Sequence, residues 1–241
     1  MKWQSTLLAL LLFSTITLSC QNFFPPGVQG EGPVIERSLD LKEFESILLS
    51  IAADVNLSQG LEQKVVVRGQ ENILDLLTLD IREGEWAIGF KEPASSYEKL
   101  VIDITLPEIK NLGISGSGDI IGTNFFTDLE DVSLVISGSG DIELELRAES
   151  IDCTVSGSGN MRLTGRVLAQ KINITGSGEV DSDAPRSDRC QISITGSGDS
   201  KVQVMKALDI SIVGSGDVYY WGSARVHTKI IGSGDVFSKV G

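Results

Sequence analysis

Ile172-Asn173-Ile174-Thr175-Gly176-Ser177-Gly178-Glu179-Val180 is the stretch from which the fold can be read. Apolar β-branched residues alternate with polar ones, a Gly-Ser-Gly triplet follows, then an acid, then another apolar residue. The pattern recurs along the second half of the chain. Its triplets are Gly116-Ser117-Gly118, Gly138-Ser139-Gly140, Gly157-Ser158-Gly159, Gly176-Ser177-Gly178, Gly196-Ser197-Gly198, Gly214-Ser215-Gly216 and Gly232-Ser233-Gly234. The residue after each is Asp119, Asp141, Asn160, Glu179, Asp199, Asp217 and Asp235. Successive copies lie 22, 19, 19, 20, 18 and 18 residues apart, which marks an internal repeat.

Counting from the first Gly of each triplet as zero, position −2 is Ile or Val in all copies, from Ile114 to Ile230. Position −4 runs Leu112, Leu134, Cys153, Ile172, Ile192, Ile210, Thr228, and position −3 between them is mostly polar. This period of two is that of a half-buried strand and does not fit a helix. One coil of about 19 residues cannot bury its apolar face alone, whereas stacked coils place each −2 side chain on the next, roughly 4.8 Å away. The expectation is an all-β parallel β-helix with ladders of like residues.

The glycines admit two readings: inward positions where no Cβ fits, or corners with positive φ. The serine column is expected to form a ladder of hydroxyl hydrogen bonds. For the acidic column three outcomes are open. The carboxylates accept N–H groups at their own corners, they splay apart in screened water, or divalent cations such as Ca²⁺ bridge them. The cation ladder would be Asp119, Asp141, Asn160, Glu179, Asp199, Asp217 and Asp235.

The chain has 241 residues, with 33 acids against 20 bases and a net charge of −13. That balance argues against nucleic acid as a partner. The bases Arg147, Arg162, Arg166, Lys171, Arg186 and Arg189 read as scattered, and an acidic chain is a poor binder of acidic glycans. No metal-ligand spacing or cofactor motif is present, and the one histidine, His227, has no triad pattern around it. Cys153 and Cys190 fall at inward positions two coils apart, beyond disulfide reach, and are expected as buried free thiols.

Residues 1–19 read as a secretory signal: Lys2, then the apolar run Leu7–Phe13, too short to cross a bilayer. Leu18-Ser19-Cys20 resembles a bacterial lipobox, with Thr17 where that pattern prefers Leu. The expectation is lipidation of Cys20, with membrane attachment through the anchor; ordinary cleavage leaving a free thiol is the other reading. Gln21 after the cysteine fits outer-membrane sorting.

Residues 20–34, rich in Pro and Gly, are expected as a tether, and 35–241 as the β-helix domain. Within it, 111–241 are the regular coils and 35–110 are irregular N-terminal coils or, alternatively, a separate small β-domain. Candidate strands there are Phe44–Ile51, Asp54–Ser58, Lys64–Arg68, Leu76–Ile81, Trp86–Phe90 and Leu100–Leu106, with Glu71–Leu77 as a possible short helix. Thr123–Asp128 and Asp181–Arg189 are expected as enlarged polar corners. Tyr219, Tyr220 and Trp221 either shield the last coil or offer an aromatic contact surface.

The repeated Gly-Ser-Gly-Asp/Asn/Glu preceded by Ile-x-Ile-Ser/Thr resembles the family named putative auto-transporter adhesin, head GIN domain. The resemblance spans roughly Arg37 to Lys239. It implies a right-handed parallel β-helix and an adhesion role without catalytic residues. The expected function is that of a non-catalytic, lipid-anchored envelope protein, adhesin-like or a scaffold, with a protein or glycan partner of unknown identity. The alternatives are a Ca²⁺-dependent binding module and a polysaccharide-active β-helix enzyme.

Overall fold

The computed structural model describes residues 27–239, apart from the side chains of 184 and 185. The expected signal peptide 1–19, the lipidated Cys20 and the first part of the tether lie outside the described residues. In chain order the first strands are β1 (Val28–Gln29), β2 (Val34–Leu39), β3 (Ser46–Leu49), β4 (Asp54–Gln59) and β5 (Lys64–Gln70), followed by one helical turn, α1 (Glu71–Leu74). β6 (Ile81–Arg82), β7 (Glu85–Ile88), β8 (Ala94–Ser96), β9 (Val101–Leu106) and β10 (Asn111–Ile114) come next. Long strands that bend round the corners make the regular coils: β11 (Asp119–Gly138), β12 (Ile142–Gly157), β13 (Asn160–Gly176), β14 (Glu179–Gly196) and β15 (Asp199–Gly214). The chain closes with β16 (Val218–Trp221), β17 (Arg225–Gly232) and β18 (Val236–Ser238).

From β10 onward every pairing is parallel and in register with the motif. Ile136 lies beside Val155, Val155 beside Ile174, Ile174 beside Ile194 and Ile194 beside Ile212. These side chains, with the −4 file from Leu112 to Ile210, are buried, and only in the last coil are Thr228 and Ile230 exposed, so the expected β-solenoid of about 19-residue coils is present. Fully burying one such Ile or Val contributes about 1.5–3 kcal/mol, and the ladder collects that from coil after coil. At +4, Ser200 replaces the aliphatic residue; its buried hydroxyl donates to the Val180 carbonyl at 3.3 Å.

The N-terminal region joins the same sheet, but its spatial order is not its chain order. β3 pairs with β10 on one side and β7 on the other, and β4 lies between β11 and β9. The chain therefore lays down an inner coil, builds the β7–β9 coil outside it, and crosses back at residues 107–110 to start the regular stack. The outer end differs from the expected irregular parallel coils. β5 runs antiparallel to β9, and β2 antiparallel to β5. Antiparallel strands can fold back over an end and satisfy backbone groups that a last parallel coil would leave unpaired. Trp86, buried against Phe44 with ring centroids 5.6 Å apart, plugs this end and donates Nε1–H to the Thr78 carbonyl at 2.9 Å. Leu76–Ile81 is not a strand. Only Leu77, bridged to Phe90, and Ile81 pair there.

Residues 27–34, expected as tether, are instead bound to the domain. Val28 and Gly30 donate to the Pro93 and Ser96 carbonyls at 2.8 and 2.7 Å. Asn72 accepts from Glu31 N–H at 3.0 Å and donates to the Gln29 carbonyl at 2.7 Å. Pro and Gly density signals an extended segment, but an extended segment can also add to a sheet.

Both expected corners bend within continuous strands. At the first, Asn124 and Gln59 exchange amide hydrogen bonds, and Gln59 also accepts from Thr127 N–H at 2.8 Å. Asp128 there takes φ +58°, an αL value that Asp tolerates. Near the C-terminal end Tyr219 stacks on Phe237 with centroids 5.0 Å apart, while Tyr220 packs on the core, so these aromatics shield the last coil.

Candidate functional site: stacked files on the solenoid wall

The glycine file settles the open question by using both readings, one at each position. The first Gly of the triplet takes positive φ in the later copies, +120° at Gly176 and +135° at Gly214. The second Gly faces inward. A Cβ on Gly178 would lie 2.6 Å from Val155 Cγ1 and collide with the Gly159 carbonyl oxygen.

The serine file does not form the expected hydroxyl ladder. Ser139, Ser158, Ser177, Ser197, Ser215 and Ser233 are exposed, and it is their backbone N–H groups that stack. Ser177 N–H donates to the Gly157 carbonyl at 2.9 Å and Ser215 N–H to Gly196 at 2.8 Å. Serine here supplies a small polar residue at a solvent-facing corner.

The acidic file is engaged in a way none of the three expected outcomes described. Asp119, Asp141, Asn160, Asp199 and Asp217 each accept the backbone N–H of the same position one coil on, not of their own corner. Asp119 Oδ1 accepts from Asp141 at 3.0 Å and Asp141 Oδ1 from Asn160 at 2.9 Å. Asn160 Oδ1 accepts from Glu179 at 3.2 Å, Asp199 Oδ1 from Asp217 at 2.8 Å, and Asp217 Oδ1 from Asp235 at 2.9 Å. These bonds to amide dipoles offset repulsion between stacked carboxylates. The one interruption is Glu179, whose longer side chain reaches Lys201 Nζ at 2.5 Å instead, and Asp199 N–H donates to the Gly178 carbonyl. Among the described residues no group of three or more His, Cys, Asp or Glu side chains converges as a metal site.

Beside Glu179 the charges compensate one another. Lys201 also lies 3.7 Å from Asp181, which faces Arg162 at 3.8 Å. Burial, and then the neighbouring Asp181, push the Asp183 carboxyl up.

The bases read as scattered prove to be aligned. The register pairs Arg147 with Arg166 and Arg166 with Arg186, three guanidinium groups on three consecutive coils. All are exposed. Arg147 lies over the ring of Phe125, 5.7 Å from its centroid. An open groove of about 640 Å³ runs beside the file, lined by Arg147, Arg166, Glu130, Glu149, Leu129 and Leu168 among others. Lys206 Nζ sits 2.7 Å from Asp188 Oδ2 and, with Arg166 and Arg189 adding to it, holds that carboxyl below its usual range. Indexed from the motif, Arg147, Arg166 and Arg186 all stand ten residues before a Gly-Ser-Gly, a recurrence that the sequence carries.

His227 is exposed, its Nδ1 3.9 Å from Asp209 Oδ1, and the described hydrogen bonds link it to no motif serine. Cys153 and Cys190 are buried free thiols, as expected. Burial pushes the Cys153 thiol up to about 12 and raises Cys190 as well.

All but the last copy of these files lie within a stretch, residues 43–224, that matches the family described as putative auto-transporter adhesin, head GIN domain. The chain belongs to that family. The head GIN match runs from the start of the inner N-terminal coil to the beginning of the last coil. Solved structures share the fold. A putative adhesin from Bacteroides fragilis superposes with TM-score 0.83 at 21% identity, covering 88% of this chain and 100% of that one. A putative adhesin from Parabacteroides merdae gives 0.72 at 22% identity, over 89% and 99%. A putative lipid binding protein from Parabacteroides distasonis gives 0.73 at 22% identity, over 88% and 99%. Comparison with curated proteins gives no match.

Proposed function

We propose that this head GIN protein is a non-catalytic, adhesin-like component of the bacterial cell envelope, held to a membrane by lipid on Cys20 and presenting the solenoid wall as its binding surface. The observation that carries the reading is the unbroken register from Gly138 through Gly157, Gly176, Gly196 and Gly214 to Gly232. Such a stack produces long files of identical groups, suited to repetitive contact along a surface. Its conspicuous polar files are committed to holding coils together: the acids to amides, the glycines to close approach.

The test has three arms. Cells lacking the protein are compared with complemented cells for attachment to surfaces and to each other; reduced attachment is expected, and unchanged attachment counts against adhesion. Cys20→Ser is expected to move the protein from the membrane fraction to the soluble one and to abolish incorporation of a labelled fatty acid. A polysaccharide depolymerisation screen is expected to be blank, and turnover of any polymer would revive the enzyme alternative.

A further inference from the structure

The arginine file contrasts with four nearby cations of the wall. Arg162, Lys171, Lys201 and Lys206 each have a carboxylate partner within 4.0 Å. Among the described residues no carboxylate lies that close to the guanidinium of Arg147, Arg166 or Arg186. Their coils are in register, so the three backbones stack at roughly 4.8 Å intervals and set like charges opposite one another, an arrangement that is destabilising. The ring of Phe125 under Arg147 and the carboxylate of Asp188 near Arg166 relieve this only in part.

We propose that the file Arg147–Arg166–Arg186 binds an extended acidic polysaccharide, its carboxylates meeting successive guanidinium groups. The inference rests on the surface-binding reading above and names its ligand class. A guanidinium presents a planar fork that matches a carboxylate with two parallel N–H···O bonds, and the file repeats that fork along one line. A linear polymer carrying an acid on its sugar units is the kind of ligand that repeats along a line. Phe125 and Leu168, 37% and 47% exposed, flank the file and offer apolar surface to sugar-ring faces. Glu130 and Glu149 in the same groove accept hydrogen bonds from sugar hydroxyls.

The net charge of −13 does not forbid this. At physiological ionic strength charges beyond about 8 Å are largely screened, so the groups at contact decide: the file's guanidiniums, with Asp128, Glu130 and Glu149 lining the groove beside Arg147 and Arg166, so that a polymer's acids must lie along the arginines themselves. A bilayer or a duplex would also press against the carboxylates of the groove, Asp128, Glu130 and Glu149. A single chain lying along the arginines would not.

The full-length protein in detergent is titrated with polygalacturonate, dextran sulfate and neutral dextran, and co-sedimented with phosphatidylglycerol vesicles. Polygalacturonate is expected to bind and dextran not to, with affinity falling as salt rises. Arg166→Gln/Arg186→Gln is expected to weaken binding by at least about tenfold with circular dichroism unchanged. Arg162→Gln, on the same wall but paired with Asp181, is expected to leave binding unaltered. No binding to polygalacturonate, equal loss in Arg162→Gln, binding to dextran sulfate alone, or vesicle capture that the double variant abolishes would each overturn the assignment. A blank titration with attachment still dependent on the protein removes this inference and leaves the adhesin reading standing.

Discussion

Asp141 Oδ1 accepts the backbone N–H of Asn160 at 2.9 Å, from the equivalent position one coil further on. The side chain of one coil therefore completes the backbone pairing of the next. Asp141→Ala strips that acceptor from an exposed amide and is expected to cost about 1 kcal/mol. Asp141→Asn keeps an acceptor oxygen, as Asn160 does for Glu179, and is expected to stay within about 0.5 kcal/mol. Urea unfolding of the pair checks this. Equal losses in both would mean that the charge, not the acceptor geometry, holds the coils.

Calcium should be without effect on stability. One oxygen each of Asp119, Asp141, Asp199 and Asp217 is already engaged by an amide, so a bridging cation would have to compete for it. Thermal melts with chelator and with millimolar Ca²⁺ are expected to coincide. A Ca²⁺-dependent rise of several degrees would establish the cation ladder instead.

Gly178→Ala is expected to destabilise strongly, by about 2 kcal/mol or more, because its Cβ meets the backbone of the preceding coil and Val155, neither of which can swing aside. Ser177→Ala, one residue earlier, is expected to stay within about 0.5 kcal/mol, since only the serine amide bonds across coils. Denaturant midpoints of the two variants test the division of labour inside one triplet.

The buried thiols make stability depend on alkaline pH. Below about 9, the ordinary value of the thiol, Cys153 is protonated in folded and unfolded chains alike, and its contribution is fully present. Between 9.0 and about 12 the unfolded chain releases a proton that the folded chain retains, so stability falls as pH rises through that window. Cys190 shifts in the same direction. Cys153→Val/Cys190→Val is expected to flatten this limb, read as the slope of unfolding free energy between pH 9 and 11. An unchanged slope would show that the thiols ionise without unfolding.

The cross-section of the fold was open to inspection in the primary structure because a parallel stack repeats its chemistry at every coil. Ile174 faces inward for the same reason as Ile194, and alternation alone reveals it. Ile174→Ala is accordingly expected to cost about 2–5 kcal/mol, measured by urea unfolding. The region before Asn111 was less transparent. It lacks copies to compare, and its strands pair out of chain order: nothing local in Ser46–Leu49 says that Glu85–Ile88 lies on one side of it and Asn111–Ile114 on the other.

Spacing and alternation by themselves determined that the chain is a β-solenoid, which residues face its core, and where two thiols would be buried. Tertiary structure alone decided what the outward residues do. A side chain's role on the wall depends on the atom one coil away, about 19 residues distant in sequence. Across that gap Asp141 found an amide, Ser177 turned to water, and three arginines that looked dispersed became a line of charge, while across a longer one residues 27–34 found strand partners.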